Sequence, residues 1–287
     1  MSQNQSAHAL YSVRSLLISS ALPVGEAKIL LAFVLDKHYQ LPRSALLSRD
    51  DLELNPAALQ EWHALESRRR IGEPIAYLLG KKGFYNIELQ VGPGVLIPRP
   101  ETELLVDIAL AEITRLGGQA SVLDLGTGSG AIALAVASNA VSALVTATDQ
   151  SGEALAIAKL NANALGLSNR VQFAQGSWYG ALESQVRFDI ILSNPPYIAD
   201  QDVHLSRGDL RFEPSSALTD HSSGLTCLEA IISQATHYLK PGGLLAVEHG
   251  FDQSEAVVTL MEKAGFVSIE AHLDLAAQYR VASGRQV

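Results

Sequence analysis

Cysteine is almost missing from this chain: Cys227 is the single thiol in 287 residues. One cysteine excludes a disulfide framework and a cysteine zinc site, and makes a reducing compartment the simpler expectation. Charge is also sparse. Charged residues make up 18% of the chain against the usual quarter, so the sequence is too apolar for disorder and has ample material for a core. Positive charge is the scarcer sign: 21 Lys and Arg face 30 Asp and Glu, a formal charge of −9. That balance argues against stable binding to a phosphate backbone. Long apolar runs are absent too. The longest, Ile29 to Leu35, falls far short of the roughly 18 residues that span a bilayer. Leu16-Leu17-Ile18, set between serines, is too short for a secretory h-region. The eight histidines lack metal-ligand spacing, so no metal site is expected. No internal repeat or low-complexity segment is visible. The expectation is a cytoplasmic protein without membrane segments, built as one large domain or two.

What is present falls into three textures. The first eighty residues read as helices: Ala27, Leu30, Leu31, Val34 and Leu35 recur at helical spacing. Asn55-Pro56 is a cap followed by proline at the first helical position. That helix closes on Arg68-Arg69-Arg70, which either complements the helix dipole or offers a basic patch to an acidic partner. Residues 81–100 look like a hairpin linking two domains. Phe84, Ile87, Leu89 and Val91 mix with polar residues, and Gly92-Pro93-Gly94 breaks the run before Val95-Leu96-Ile97. From about Ser121 onward short apolar runs alternate with helical stretches. Val122–Leu125, Leu144–Thr148, Val171–Phe173, Ile190–Leu192 and Leu244–Val247 predict a mostly parallel α/β sheet covered on both faces. Val267–His272 and Tyr279–Ala282 are joined too tightly for a helical crossover and should pair antiparallel at the end of that sheet.

Leu123-Asp124-Leu125-Gly126-Thr127-Gly128-Ser129-Gly130 follows a strand and opens the helix from Ala131. Glycines there let the backbone turn sharply and approach a ligand over the helix N-terminus. Gly126, Gly128 and Ala131 satisfy the dinucleotide fingerprint, and Asp149 ends the next strand about 20 residues on, placed to accept from ribose hydroxyls. NAD and S-adenosylmethionine both carry such a ribose. Gly130 completes G-x-G-x-G, a pattern familiar in class I methyltransferases, and favours the sulfonium cofactor. Asp124 adds negative charge that suits a cation and would repel a pyrophosphate, unless it simply holds the loop backbone.

Phe188-Asp189-Ile190-Ile191-Leu192-Ser193 is a buried-type strand running into Asn194-Pro195-Pro196-Tyr197. In an open α/β sheet ligands bind beyond the carboxyl ends of the strands, so this tetrapeptide should sit beside the cofactor. The Asn194 side-chain oxygen and the Pro195 carbonyl can each accept a hydrogen bond from a target –NH₂. Two such bonds orient a planar nitrogen and enrich it in electrons as positive charge develops. Pro195 and Pro196 fix the backbone, and Tyr197 offers a flat face. This chemistry fits a nucleic-acid base as well as a side-chain amide.

The chain resembles one family closely, the HemK/PrmC-type protein-glutamine methyltransferases. The likeness rests on Gly72-Glu73-Pro74-Ile75-Ala76-Tyr77, Pro98-Arg99-Pro100-Glu101-Thr102-Glu103, Gly126 to Gly130 and Asn194 to Tyr197. Glu213-Pro214, Leu239-Lys240-Pro241-Gly242-Gly243 and Glu248-His249-Gly250 extend it over nearly the whole chain. The first two segments are not shared by generic methyltransferases. The resemblance implies methyl transfer from S-adenosylmethionine to the glutamine of the GGQ motif in peptide chain release factors, supporting translation termination. It implies a helical domain over residues 1–80 that helps dock the release factor, a linker over 81–100, and a Rossmann-like, seven-stranded class I catalytic domain over 101–287. A monomer is expected. Carried over by position, Gly126, Thr127, Gly128, Ser129, Gly130, Asp149, Trp178 and Asn194 would bind the cofactor. Asn194, Pro195, Pro196 and Tyr197 would hold the glutamine, with Asn194, Pro195 and Tyr197 catalytic. Trp178 falls where the family packs against adenine. The family often has an acidic residue where this chain has Ser177, so a carboxylate grip on the adenine amine is not supported here.

Among the remaining residues, His249 is the histidine best placed for function, just past a strand. Cys227 lies in an apolar-periodic helix and reads as packing rather than nucleophile. Arg99 and Glu213 either line a substrate channel or brace the linker. Three rivals compete with the glutamine reading: a base methyltransferase, which would want a basic groove; a non-catalytic binding module, which would want a damaged tetrapeptide; and a nicotinamide oxidoreductase, which leaves Asn194 to Tyr197 unexplained.

Overall fold

The computed structural model describes residues 11–287. The chain divides into two compact units, the first ending at Gly80 and the second beginning at Lys81.

The first unit is helical: α1 (Val13–Ser19), α2 (Val24–Tyr39), α3 (Ala45–Ser48), α4 (Pro56–Arg70) and α5 (Ile75–Leu79). Local chemistry sets its boundaries. Asn55 accepts from the Ala58 amide at 2.9 Å, and Pro56 opens α4 where a missing N–H costs nothing. The apolar face of α2, Ala27, Leu30, Leu31, Val34 and Leu35, is fully buried against Trp62 and Leu65 of α4. The cations that end α4 are largely spoken for: Arg68 pairs with Glu73 and Arg69 with Glu26 at 2.7 Å. Those pairs favour the structural account of the arginines over a free basic patch.

The second unit opens with a hairpin, β1 (Lys81–Phe84) and β2 (Ile87–Gln90). Its pairing stops at Gln90. Val95 to Ile97, expected to continue a hairpin, instead form an irregular buried strap, because the Ile97 amide donates to the Glu213 carboxylate at 2.9 Å rather than to a strand. Helix α6 (Glu103–Arg115) follows, and then the alternation the sequence predicts: β3 (Ser121–Leu125), α7 (Ala131–Asn139), β4 (Leu144–Asp149), α8 (Gly152–Ala164), β5 (Val171–Gln175), β6 (Phe188–Ser193), α9 (Thr226–Tyr238), β7 (Leu239–Glu248), α10 (Ser254–Lys263), β8 (Val267–Leu273) and β9 (Tyr279–Arg285). The sheet has seven strands in the order β5-β4-β3-β6-β7-β9-β8. Strands β3 to β7 run parallel, and β9 returns antiparallel between β7 and β8. Central strands carry continuous Val, Ile and Leu because both their faces are covered. One face packs Val122, Ile190 and Leu192 against α6 and α7, and the other packs Leu123, Ile191 and Leu245 against α9. Helix α7 is buried at every position from Ala131 to Ala137, which its run of alanines permits.

Register positions the site. Leu125 pairs with Thr148 on one side and with Ser193 on the other, and Ser193 pairs in turn with Val247. Gly126, Asp149, Asn194 and Glu248 are therefore the next residues along four neighbouring parallel strands. Strand order reverses between β3 and β6, which is where open α/β sheets form a crevice for ligands.

Candidate active site

Above that crevice lies a cavity of about 240 Å³, lined by Val95, Leu96 and Pro98 of the strap, Gly126 to Ser129, Asp149, Trp178, Asn194 and Pro196. Of the residues singled out from sequence, Gly126, Thr127, Gly128, Ser129, Asp149, Trp178, Asn194 and Pro196 face it. Gly130, Pro195 and Tyr197 are not among its lining residues.

The glycine loop owes its shape to two positions. Gly126 has φ +73°, and a side chain there would meet the Trp178 ring at 3.3 Å, so the missing Cβ lets the indole come up against the loop. Gly130 has φ +86° at the N-cap of α7, and an added Cβ would press on Leu134 at 2.8 Å. Carboxylates fix the rest. Asp149 accepts from the Gly128 amide and from the Ser151 amide, each at 2.9 Å. Asp124 is wholly buried, accepting from the Thr127 hydroxyl at 2.6 Å and the Ala133 amide at 3.2 Å. Burial, and secondarily the nearby Asp149 charge, pushes the Asp124 carboxyl up to about 7. Asp124 therefore holds the loop and the start of α7, and it does not line the cavity. Asn161 of α8 does a similar job unseen in the sequence. Its amide donates to the Ser129 carbonyl at 2.9 Å and exchanges two hydrogen bonds with the Gln90 backbone.

At the reacting end, the Asn194 side-chain amide donates to the Thr102 hydroxyl at 3.0 Å, which leaves its oxygen as the free acceptor. Tyr197 donates its hydroxyl to Glu248 at 3.0 Å; desolvation, and then the Glu248 charge, raises that phenol well above its ordinary value. Gln253 donates to the Tyr197 carbonyl at 3.0 Å and accepts from the Gly250 amide at 2.8 Å, clamping the far end of the tetrapeptide. His249 is buried beside these groups. Its Nδ1 lies 2.8 Å from the Gly250 carbonyl and burial lowers its basicity, so the ring is neutral and Nδ1 is the donor. It does not reach the cavity. Arg99 and Glu213 form an ion pair that braces the strap, and neither side chain lines the cavity. Cys227 is half-buried and burial raises its thiol, as befits a packing residue. Among the described residues no cluster of His, Cys, Asp and Glu suited to a metal ion occurs, and no helix is long and apolar enough to cross a membrane.

The residues present fit an S-adenosylmethionine site: a close-approach loop at a helix N-terminus, a fixed carboxylate at the adjacent strand end, and an indole face beside them. The sheet order, loop and cavity define a class I S-adenosylmethionine-dependent methyltransferase. Solved structures agree on the fold. A methyltransferase from Pyrococcus furiosus superimposes with a TM-score of 0.52 at 17% identity, covering 79% of this chain and 98% of that one. The 16S rRNA N2 G1207 methyltransferase of Thermus thermophilus gives 0.52 at 22% identity, covering 72% and 50%. Family models narrow the assignment: the PrmC N-terminal domain matches residues 8–80, and the methyltransferase small domain matches residues 101–212. The release factor glutamine methyltransferase of Burkholderia pseudomallei is 46% identical over 274 residues, 94% of each chain. That of Bordetella pertussis is 47% identical over 274 residues, 95% of this chain and 98% of the relative. The chain belongs to the release factor glutamine methyltransferase family.

Proposed function

We propose that this protein methylates the side-chain amide nitrogen of the GGQ glutamine in peptide chain release factors, and so supports translation termination. The observation that carries the reading is the Asn194 amide, whose NH₂ is occupied by Thr102 and whose oxygen is spared at the wall of the cavity. An amide nitrogen is a weak nucleophile because its lone pair is shared with its carbonyl. The Asn194 oxygen and the Pro195 carbonyl accept its two hydrogens, hold it in line and stabilise the positive charge that develops on it. Gly126 to Gly130, Asp149 and Trp178 would hold the cofactor, which when bound would supply an electrophilic methyl. Asn194 and Pro195 would keep the amide nitrogen oriented while it is methylated, and the nitrogen would then pass one of its protons to water. Pro196 and the Tyr197 ring bound the slot, while the Tyr197 hydroxyl, engaged with Glu248, keeps that ring in place.

The residue 1–80 unit docks the release factor, and the protein works as a cytoplasmic monomer. Strap residues 92–98 and the hairpin before them belong with the catalytic unit. The acidic balance of the chain favours a protein substrate over a nucleic-acid base.

The test mixes purified protein and labelled S-adenosylmethionine with a release factor and, separately, with a nucleic-acid pool. Label enters the factor and is lost when its GGQ glutamine is replaced. Asn194→Ala lowers turnover at least a hundredfold while cofactor binding largely survives. Label on nucleic acid alone overturns the substrate assignment, and undiminished turnover by the variant overturns the role of Asn194.

A further inference from the structure

Gln253 stands at the N-cap of α10, a place where a short polar side chain would bond the first amides of the helix, yet its side chain caps nothing. It closes the turn after β7 instead. The Gln253 backbone amide donates to the Gly250 carbonyl at 2.9 Å, and the Gly250 amide donates to Gln253 Oε1 at 2.8 Å. That second bond decides which way the side-chain amide faces. With its oxygen turned to an N–H, Nε2 donates to two carbonyls, that of Tyr197 at 3.0 Å and that of Gly224 at 3.3 Å. One side chain thus joins the turn after β7, the end of the tetrapeptide and the loop that leads into α9.

That loop is shaped for the approach. Asp220 accepts from the Ser222 and Gly224 amides, each at 2.9 Å, and from the Thr226 amide at 2.8 Å, so the segment is held by its own carboxylate. Gly224 has φ +86°, and a Cβ there would lie 2.5 Å from the Tyr197 carbonyl oxygen and 2.8 Å from Gln253 Nε2. Only glycine lets the three groups meet.

The prolines make this junction matter. Pro195 and Pro196 have no N–H, so neither can be pinned by donating to a neighbour, and their rings restrict φ. The direction of the Pro195 carbonyl is therefore set by what holds the tetrapeptide at its two ends. At the near end Ser193 pairs with Val247 and donates its hydroxyl to the Leu125 carbonyl at 2.7 Å. At the far end Glu248 holds the Tyr197 hydroxyl at 3.0 Å, and Gln253 holds the Tyr197 carbonyl.

We propose that Gln253 is a positioning residue: by holding the Tyr197 carbonyl beside Gly224 it sets the plane of that peptide and, through the stiff Pro195-Pro196 pair, aims the Pro195 carbonyl at the substrate nitrogen. The inference rests on the reading of Asn194 and Pro195 as acceptors for a substrate –NH₂. Gln253 does not line the cavity, so it acts through the backbone of the tetrapeptide and not on the cofactor.

The test measures kcat and KM for methyl transfer to a purified release factor, S-adenosylmethionine affinity and thermal unfolding for Gln253→Met, Gln253→Glu, Gly224→Ala, Asn194→Ala and Glu112→Gln. Methionine keeps the length of glutamine and removes its hydrogen bonds. Loss of the bond to Tyr197 lowers kcat about tenfold, while KM and cofactor affinity stay within about threefold, because the aim of an acceptor counts most in the transition state. Glutamate keeps both the length and an acceptor for Gly250, but turns an oxygen toward two carbonyls, so kcat falls at least as far as with methionine. Gly224→Ala pushes the same carbonyl and lowers kcat in the same way. Glu112→Gln is the control for mere loosening: Glu112 pairs with Arg285 at 2.8 Å at the opposite end of the sheet, so the variant melts earlier and keeps parental kcat. Should Gln253→Met unfold, Gln253→Glu and Gly224→Ala carry the test. Parental kcat in the Gln253 variants, a loss confined to KM or cofactor affinity, or an equal loss of kcat in Glu112→Gln overturns the proposal. So does a glutamate variant nearer the parent than methionine, since shape and the Gly250 bond would then suffice. Asn194→Ala separates the two claims. If it is inactive while the Gln253 variants are unimpaired, the positioning role alone fails; if Asn194→Ala itself turns over normally, the acceptor reading beneath it fails.

Discussion

Replacing Glu213 by alanine tests how the strap over the cavity is held. The Glu213 side chain is 0% exposed, accepts from the Ile97 amide at 2.9 Å and ion-pairs with Arg99, whose side chain is 31% exposed. The variant leaves the Ile97 N–H buried without an acceptor, which costs about 1–3 kcal/mol. Lost packing of the side-chain methylenes adds roughly 1 kcal/mol. Arg99 reaches water, so freeing it adds little. The expected destabilisation is about 2–4 kcal/mol, a fall in Tm on the order of 4–16 °C for a domain of this size. Glu213→Gln keeps an acceptor for Ile97 and should cost roughly half as much. The assay is urea unfolding of each variant together with calorimetric titration of S-adenosylmethionine. Affinity should fall in the same order, because Val95, Leu96 and Pro98 on the strap and Pro214, Ser216 and Ala217 beyond Glu213 line one cavity. If glutamine proved as damaging as alanine, charge rather than the Ile97 acceptor would be the cause. If alanine were neutral, the tether argument would be refuted.

Two further outcomes concern the loop. Burial raises the Asp124 carboxyl to about 7, which favours its neutral form in the folded state. Its contribution to stability is full below about pH 4, where the unfolded chain titrates, and is lost as pH rises through about 7, by at most on the order of 4 kcal/mol. Asp124→Asn keeps an acceptor for Thr127 and Ala133, so unfolding free energies between pH 4 and 8 should fall less steeply than in the parent; parallel curves would count against the assignment. Gly130→Ala forces a side chain into a left-handed conformation against Leu134 and should cost roughly 1–3 kcal/mol in thermal unfolding, whereas a neutral result would mean the loop can relax.

Much of the architecture is legible in the sequence because it is local. Apolar runs bounded by turn residues mark the strands, Asn55-Pro56 marks the start of α4, and Asn194-Pro195-Pro196-Tyr197 sits directly after a buried strand. What supports the site is non-local and leaves no spacing to read. Asn161 reaches Gln90 and Ser129, Gln253 reaches Tyr197, and Glu213 reaches Ile97; each is an ordinary polar residue until the fold brings its partner within 3 Å. Val95 to Ile97 mislead for the same reason: they are apolar, and Val95 and Ile97 are β-branched, yet Val95 and Leu96 line a cavity and the segment joins no sheet. The Asp124 charge misleads in another way. Its place before the loop suggests an electrostatic role, but complete burial disfavours the charge, and Oδ2 is taken by the Thr127 hydroxyl and the Ala133 amide.

The insertion of β9 between β7 and β8 has a consequence in time. A chain is made from its N-terminus, so β8 emerges before the strand that joins it to the sheet. Until residues 279–285 follow, β8 has no neighbour to bond with, and β7 presents an open edge. During that interval the nascent enzyme carries two unsatisfied strands, and closing the sheet waits on the synthesis of β9.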